Sequence, residues 1–330
     1  MEKPIAIAFA DLHWNDYKSH SIDHSRLKGL GNVLINVSKE AVRYQVPILF
    51  SGDLLHNPKS IDPLTLSTFI GHYKFFIEDS GIPFVNIAGN HDQSEKNTPD
   101  HQSPCWQDSL ALIFKTFKYL NNPKPAFFEN DNLLVYGIDY LSYNLGFDDE
   151  LKKIKALARS HKEKNKARIL LIHTDLHNAL STSGFKIDEV QGIPESMDDY
   201  FKPFTWVLSG HIHLPQKLGK RIYMLGAPYQ QSSADKEIEM GYWLIYRDSK
   251  PKFVELTGMP KFMDWEGPNP PNDGNFYLVS SEPKEENDND PEIVINNKLD
   301  KAGLAKKYLK SRQIKSKRRK KALIKILSDL

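Results

Sequence analysis

Cysteine is nearly absent from the sequence, since Cys105 is the only one among 330 residues. A single cysteine excludes an intrachain disulfide and any zinc site that needs several thiolates. Long apolar runs are absent too, and no stretch approaches the roughly 18 residues that a membrane span needs. The first residues, MEKPIAIAFADLH, enter a strand directly and lack the pattern of a secretory signal peptide. We therefore expect a cytoplasmic protein with no part in a membrane.

Acidic residues are scarce at one end of the chain, although the whole sequence is close to neutral at +2. Residues 301–330 hold twelve Lys or Arg and one acid, Asp329, which gives this segment a net charge of +11. The remaining 300 residues then carry 32 bases and 41 acids. The basic end therefore differs in character from the body of the protein, and we treat it as a separate segment.

Apolar strand-like runs alternate with helical patterns through most of the chain. The run PIAIAFADLH is followed by a predicted helix over 25–44, with Leu27, Leu30, Leu34 and Val37 at helical spacing. The runs VPILFSGDLLH and IPFVNIAGNHD repeat this arrangement, and charged residues 148–164 predict a helix before ARILLIHTDLH. Such alternation is typical of an α/β fold with a largely parallel sheet.

The composition of the sequence changes after about Met259. The stretch MPKFMDWEGPNPPNDGN is rich in Pro and Gly and reads as a linker, and two short strand-like pieces follow, NFYLVSS and EIVINNK. We predict a main domain over 1–258, a linker with a reduced capping element over 259–297, and a basic helical tail over 298–330.

Polar side chains that can bind metals come directly after the strand-like runs, several of them next to a glycine. They are Asp11, His13, Asp53, Asn90, His173, His211 and His213. Open α/β sheets bind their ligands where the strands end, so these side chains are expected to meet. Mixed oxygen and imidazole ligands suit manganese, iron or zinc. Two ions that share a carboxylate can hold a hydroxide for in-line attack at phosphorus.

The order of these motifs, D-x-H, GD, GNHD, H and GHxH, resembles the calcineurin-like metallophosphoesterase superfamily. The resemblance implies a four-layer α/β/β/α sandwich, here with a short C-terminal extension, and two divalent metal ions that share Asp53. The other ligands that it implies are Asp11, His13 and His213 for one ion and Asn90, His173 and His211 for the second. Manganese is the expected metal, with magnesium, iron or zinc as alternatives.

Two further histidines have roles that the resemblance implies. His91 of the GNH motif would face the substrate phosphate and assist the leaving oxygen, which agrees with the ability of an imidazole to supply a proton near neutral pH. His56 stands three residues after Asp53, where phosphoprotein phosphatases of the superfamily carry the Asp of D-R-G. The stretch GDLLHNPKS is instead similar to SbcD-type DNA-repair nucleases, in which this second histidine contributes to exonuclease activity.

These features predict a metal-dependent nuclease that hydrolyses DNA in repair or recombination, as an exonuclease with a further endonuclease activity left open. A phosphatase or a small-molecule phosphodiesterase on the same fold is one alternative. A scaffold subunit that binds DNA without cutting it is another. The expected location is the cytoplasm, at the nucleoid, or the host cytoplasm if the protein comes from a phage.

The basic tail predicts contacts with partners. In SbcD-type nucleases, a segment after the cap binds an SbcC-type ATPase, and two apolar stripes in residues 304–330 suit docking on such a partner. The run between the stripes suits DNA phosphates, and its candidate residues are Lys315, Lys317, Arg318, Arg319, Lys320 and Lys321. A nuclear localisation signal and a merely solvated tail are the other interpretations. Helical faces after Ser25 and Pro63 could support a homodimer or could pack on the sheet.

Overall fold

Two β-sheets of six strands each lie at the centre of the structure, a computed structural model. The structure describes residues 2–17, 24–95, 103–120, 127–140, 146–163, 165–187, 197–265 and 275–279. The first sheet has the order β12 (Lys252–Glu255), β11 (Gly241–Ile245), β1 (Ala6–Phe9), β2 (Ile48–Ser51), β3 (Phe84–Ile87) and β4 (Phe117–Tyr119). The second sheet has the order β5 (Phe127–Glu129), β6 (Leu133–Ile138), β7 (Ala167–His173), β8 (Trp206–Gly210), β10 (Ile222–Met224) and β9 (Gln216–Lys217).

The central strands of both sheets are parallel, as the alternating pattern predicted. Strands β1 to β4 pair in parallel in the first sheet, and β6, β7, β8 and β10 do so in the second. The antiparallel strands lie at the edges, because β11 and β12 form a hairpin that adds to β1. The carboxyl ends of β1, β2, β3, β7 and β8 are therefore available for loops that carry ligands.

Helices cover the outer face of each sheet. The first sheet packs against α1 (Ser25–Tyr44), α2 (Pro63–Tyr73) with its π-helical continuation (Lys74–Glu78), and α3 (Trp106–Ile113). The second sheet packs against α4 (Phe147–Ser160) and α5 (Met197–Tyr200). The order helix, sheet, sheet, helix confirms the predicted four-layer sandwich.

Alternation along β1 shows how the sequence fills these layers. Ala6 and Ala8 point into the core between the two sheets, whereas Ile7 and Phe9 point to the helices of the first layer. Successive strand residues face opposite sides, so the small residues of β1 face the opposing sheet and the large ones fill the space under the helices.

Helix boundaries agree with the sequence prediction in α1 and differ in α4. Helix α1 covers the predicted residues, Ser25–Tyr44. Helix α4 starts at Phe147 and ends at Ser160, four residues short of the predicted end, because the backbone of His161 is already extended. In the described part of the chain, no helix has the length and apolar character that a bilayer crossing requires.

The segment predicted as a linker contains a strand. Strand β13 (Phe262–Trp265) pairs in parallel with β14 (Phe276–Val279), the first of the two predicted strand-like pieces. The backbone N–H of Phe262 donates to the side chain of Gln230, which joins this small sheet to the main unit. The second piece, EIVINNK, and the predicted tail over 298–330 lie outside the described residues.

Candidate metal centre

The loops that follow the central strands hold their polar residues in an uncommon backbone conformation. Seven described non-glycine residues have a positive φ, and four of them directly follow central strands, namely Asp11 (53°), His13 (46°), Asp53 (58°) and His211 (86°). This conformation is costly for residues with a Cβ and persists only where surrounding structure imposes it, often at functional sites. All four are predicted metal ligands.

The first predicted ligand group comes together at the ends of β1 and β8. Donor atoms of Asp11, His13 and His213 all lie within 4.8 Å of one another. The Nε2 atoms of His13 and His213 are 3.3 Å apart, close to the separation of about 3.4 Å between two nitrogen ligands of one tetrahedral ion. The backbone N–H of His211 donates to Asp11 Oδ1 at 2.9 Å, which holds the carboxylate in place.

The second predicted group lies beside the first. Donor atoms of Asp53, His173 and His211 also lie within 4.8 Å of one another. Asn90 Oδ1 is 3.0 Å from both His173 Nε2 and His211 Nδ1, so the amide oxygen joins the same group. The structure therefore brings all three residues predicted for the second ion together with Asp53.

Asp53 lies between the two groups. Its Oδ2 is 3.5 Å from His13 Nε2 and 3.3 Å from His173 Nε2. Its Oδ1 accepts the backbone N–H of His91 at 2.8 Å. One carboxylate oxygen faces both sets of imidazoles, and the donor set therefore fits two divalent ions that share Asp53.

Charge at the centre favours the metal-binding forms of two of these ligands. Burial lowers the pKa of His13 well below its usual value, which keeps the imidazole neutral. Burial opposes ionisation of Asp53, but the neighbouring His173 and His13 outweigh it and hold the pKa of this carboxyl far below its usual range. Metal ligands must be deprotonated to bind, so both shifts assist coordination. Two other shifts oppose it, because burial raises the pKa of Asp11, and Asp53 raises the pKa of His173 to about 9 against the effect of burial.

Asp92 fixes two of the metal-binding loops to each other. Its fully buried carboxylate accepts the backbone N–H groups of Asp53, Leu54, Leu55 and Gly89 at 2.8 to 3.3 Å. These donors come from the loops after β2 and β3. Asp92 therefore sets the distance between the shared carboxylate and the GNH motif.

Asp139 supports the same motif from behind. Its Oδ1 accepts the backbone N–H of Ala88 at 2.8 Å, and its Oδ2 accepts the phenol of Tyr119 at 2.7 Å. Burial raises the pKa of Asp139 to about 7. Ala88 stands two positions before Asn90, so this contact lets Asp139 hold the end of β3 in place.

His91 and His56 lie at the centre but are outside the two ligand groups. His91 Nδ1 donates to the backbone carbonyl of His56 at 2.9 Å. In its neutral form, His91 therefore has its hydrogen on Nδ1 and none on Nε2. The two rings stack with centroids 5.0 Å apart and an interplanar angle of 23°. Donor atoms of His13, His56 and His91 also lie within 4.8 Å of one another, so both histidines are next to the first group.

A cleft of about 150 Å³ opens onto the centre. Its lining residues are His13, Tyr17, Asp53, His56, Asn90, His91, His211, His213 and Gln231. Among these nine there is no lysine or arginine. The guanidinium of Arg26, which is fully buried, packs over the ring of Tyr17, one of these nine residues.

The sequence analysis missed three residues that contact the centre. Tyr17 donates to or accepts from His56 Nδ1 at 2.5 Å, and Gln231 donates to the backbone carbonyl of Asp11 at 3.2 Å. Asp175 Oδ1 lies 3.3 Å from His211 Nε2, the ring nitrogen that faces away from Asn90. Asp175 follows His173 by two residues, and this proximity was the one available signal. The tail candidates, from Lys315 to Lys321, lie outside the described residues.

Comparison with known proteins places the chain in a family. The profile of the calcineurin-like phosphoesterases matches residues 6–215, which span the first strand to the last metal-binding motif. This match confirms the resemblance of the motif order to that superfamily.

Curated relatives are distant. The chain is 28% identical over 193 residues to the uncharacterized protein R555 of Acanthamoeba polyphaga mimivirus, covering 56% of this chain and 13% of that protein. It is 26% identical over 156 residues to the DNA double-strand break repair protein Mre11 of Sulfurisphaera tokodaii, covering 46% and 36%. The Mre11 of Sulfolobus acidocaldarius is 26% identical over 144 residues, covering 43% and 32%. The chain thus spans about a third or less of the length of these relatives.

Solved structures are also similar at low identity. A dimetal phosphatase from Danio rerio superposes with a TM-score of 0.48 at 10% identity, covering 77% of this chain and 99% of that one. The calcineurin-like phosphoesterase YfkN from Bacillus subtilis has a TM-score of 0.40 at 14% identity, covering 76% and 87%.

Proposed function

Since the chain belongs to the calcineurin-like phosphoesterases, a family of metal-dependent hydrolases, we propose that it is a two-metal nuclease that hydrolyses phosphodiester bonds of DNA. The role that we propose is repair or recombination. Manganese is the metal we propose for the site, with Asp11, His13 and His213 on one ion, Asn90, His173 and His211 on the other, and Asp53 shared.

The charge of the cleft is the observation that carries this proposal. Its nine lining residues include no lysine or arginine. A phosphomonoester carries between about 1.5 and 2 negative charges at neutral pH, whereas a diester carries one. In the part of the chain that the structure describes, a cleft with no lysine or arginine in its lining therefore suits a diester better than the terminal phosphate of a phosphoprotein or a nucleotide.

The sequence supports DNA as the source of that diester. His56 occupies the position where phosphoprotein phosphatases have the Asp of D-R-G, and its ring stacks on that of His91. Two of the curated relatives are named as DNA double-strand break repair proteins. Both observations favour a nuclease over a phosphatase on the same fold.

His91 is the proton donor in the mechanism that we propose. Two divalent ions held by Asp53 and the proposed ligands around it would supply positive charge for the phosphate and would activate water near neutral pH. His91 Nδ1 is committed to the carbonyl of His56 and its backbone N–H to Asp53 Oδ1, so the ring holds a fixed position. A proton carried at Nε2 can then pass to the leaving oxygen as the P–O bond breaks.

The test compares diester and monoester substrates in the presence of Mn²⁺. Bis(p-nitrophenyl) phosphate, p-nitrophenyl phosphate, linear duplex DNA and single-stranded DNA are offered to the full chain and to the Asp53→Ala variant. We expect cleavage of the diester and of DNA, and its loss in the variant. Hydrolysis of the monoester alone would make the protein a phosphatase, and binding of DNA without cleavage would make it a scaffold.

We further propose that an SbcC-type ATPase is the partner and that the basic tail contacts either this ATPase or DNA. Each phosphate neutralised by a basic residue releases counterions and steepens the salt dependence of binding. Replacement of the six candidates between Lys315 and Lys321 by glutamine should flatten that dependence and leave hydrolysis of bis(p-nitrophenyl) phosphate unchanged. An unchanged salt dependence would assign the tail to the protein partner, which co-purification with the ATPase would then detect. A solution mass measurement tests the proposed homodimer.

A further inference from the structure

Tyr17 makes the closest side-chain contact of His56 in the cleft. Its phenol oxygen is 2.5 Å from His56 Nδ1, and the two ring centroids are 4.6 Å apart. No motif of the family pattern includes Tyr17, which stands four residues after His13 at the end of the first metal-binding loop. This hydrogen bond holds the imidazole ring of His56 in one orientation.

Arg26 makes the phenol of Tyr17 a good donor. The guanidinium carbon lies 4.6 Å from the centre of the Tyr17 ring and 4.9 Å from that of Tyr229, so the cation packs between two aromatic faces. Its Nη1 donates to the backbone carbonyl of Gln230 at 3.0 Å, and its Nη2 donates to the side chain of Gln231. A fixed positive charge over the ring draws electron density from the phenol, which strengthens the O–H as a donor toward His56.

His13 presents a second donor to the same nitrogen of His56. Its Nε2 faces Asp53 Oδ2 and His213 Nε2, on the side of the first metal group. An imidazole that binds an ion through Nε2 carries its hydrogen on Nδ1. His13 Nδ1 lies 3.4 Å from His56 Nδ1, so in this tautomer His13 can donate to the nitrogen that Tyr17 also contacts.

His56 Nδ1 can serve both neighbours only as an acceptor, because the phenol O–H of Tyr17 and the Nδ1–H of a metal-bound His13 can each donate to it, and the hydrogen of the ring is then on Nε2. We propose that Tyr17 is a positioning residue that holds His56 as the Nε2–H tautomer, and that His56 thereby donates a hydrogen bond to the substrate phosphate. This inference rests on the proposed function. The two stacked histidines then have distinct roles. His56 donates a hydrogen bond through Nε2, whereas His91, whose Nδ1 bonds to the backbone, carries the transferred proton on Nε2.

The tautomer is measured directly, without substrate. The full chain is loaded with Mg²⁺, a diamagnetic ion, and its histidines are labelled with ¹⁵N, with the His56 signals assigned by their loss in His56→Gln. We expect the Nε2–H pattern for His56 at pH 7.5, and a mixture of both tautomers in Tyr17→Phe. An Nδ1–H pattern for His56 in the wild-type protein would overturn the inference. Because no cleavage is measured, this result holds whether or not DNA is the substrate.

The role of the Nε2 donor is tested by a pair of substitutions at His56. Glutamine offers an N–H near the position of Nε2, whereas alanine offers none. With Mn²⁺ and bis(p-nitrophenyl) phosphate, we expect His56→Ala to lose about 100-fold in kcat, as for removal of one donor to a developing charge. His56→Gln should retain activity within about 10-fold of the wild type. Equal losses in both variants would contradict a hydrogen-bonding role and would make His56 a proton donor.

Tyr17→Phe is compared with a matched substitution outside the cleft. Tyr246 follows β11 and does not line the cleft, so Tyr246→Phe should leave kcat and KM unchanged. We expect Tyr17→Phe to lower kcat about 10-fold with little change in KM, since the lost bond orients a group rather than binds substrate. If Tyr17→Phe lowers kcat in the wild-type protein but not in the His56→Gln variant, Tyr17 acts through His56. An equal loss in that background would contradict the proposal.

Discussion

At the scale of single residues, the centre divides into side chains that we propose as metal ligands and side chains that we propose to act beside them. Asp53 and the imidazoles that surround it supply the donor atoms, whereas His91 is held by bonds to Asp53 and to the backbone of His56. His91 therefore keeps its place through its own hydrogen bonds, and it is not among the ligands that we propose for either ion.

Removal of the His91 imidazole should strongly reduce hydrolysis and spare metal binding. We expect His91→Ala to lose about 10²- to 10⁴-fold in kcat, the usual contribution of a positioned acid. Mn²⁺ affinity from calorimetry should match the wild type. His161 bonds to Tyr136 outside the cleft, and His161→Ala is the control. Loss of Mn²⁺ binding in His91→Ala would make His91 a ligand.

Asp175 should tune the binding of one ion through His211. Its carboxylate lies 3.3 Å from the His211 nitrogen that faces away from Asn90, the arrangement in which a carboxylate orients a metal-bound imidazole. Asp175→Ala should weaken one of two Mn²⁺ binding steps by about 10- to 100-fold. Calorimetry measures both steps, with the exposed Asp149→Ala on α4 as the control. Equal weakening of both steps, or of neither, would count against this role.

At the scale of elements, the centre depends on loops that approach one another closely at the ends of parallel strands. The buried carboxylate of Asp92 ties the loop after β2 to the loop after β3. Gly89 lies at the point of closest approach, where a Cβ would be 2.1 Å from Asp53 Oδ1 and 2.5 Å from Asp53 N. Only a glycine fits there, because the atoms that it meets belong to the shared ligand itself.

A methyl group at Gly89 should displace Asp53. We expect Gly89→Ala to destabilise the protein by about 1–3 kcal/mol, the usual cost of overpacking, and to weaken Mn²⁺ binding. Gly71 is the matched control, since its added Cβ would meet nothing within 4 Å, and Gly71→Ala in α2 should stabilise by about 0.5–1 kcal/mol. Urea unfolding measures both. Wild-type stability and metal affinity in Gly89→Ala would show that the loop can move apart.

At the scale of the whole molecule, the packing of two sheets buries ionisable groups that water would otherwise solvate. Asp139 is the clearest case, since it is 4% exposed and its pKa is raised to about 7 by burial. An unfolded aspartate has a pKa of about 3.9. At a pH between these two pKa values, the carboxyl group of Asp139 is protonated in the folded state and ionised in the unfolded state.

The stability of the fold should therefore decrease as the pH rises through this window. The contribution of Asp139 falls by about 1.4 kcal/mol per pH unit between roughly pH 4 and 7, and is constant above pH 7. Asp139→Asn lacks this titration and keeps an oxygen for the N–H of Ala88. Denaturation of both proteins at pH 5, 6, 7 and 8 should show a wild-type advantage that shrinks up to pH 7. A constant difference across this range would contradict the raised pKa.

The order of chemical motifs was sufficient to predict the architecture and the side chains that meet at the centre. Alternating strands and helices imply parallel strands, and parallel strands bring their carboxyl ends to one edge. Asp11 and His213 could therefore be expected to meet across two hundred residues, since each follows its own strand. The helix over 25–44 was predicted with its boundaries because its apolar spacing is regular.

Tertiary structure alone decided the contacts that surround the predicted metal ligands. Tyr17 contacts His56, Asp175 contacts His211, and Gln231 contacts the loop of Asp11. Irregular loops bring these residues together, and no periodic pattern in the sequence encodes the path of an irregular loop. The strand at Phe262–Trp265 was missed because pairing with β14 outweighs the Pro and Gly that follow it. The sequence by itself determined which residue types lie at the carboxyl ends of the central strands, because each predicted metal ligand closely follows its own strand along the chain. Packing between loops determined their hydrogen bonds and buried charges, since these depend on neighbours that are distant along the chain.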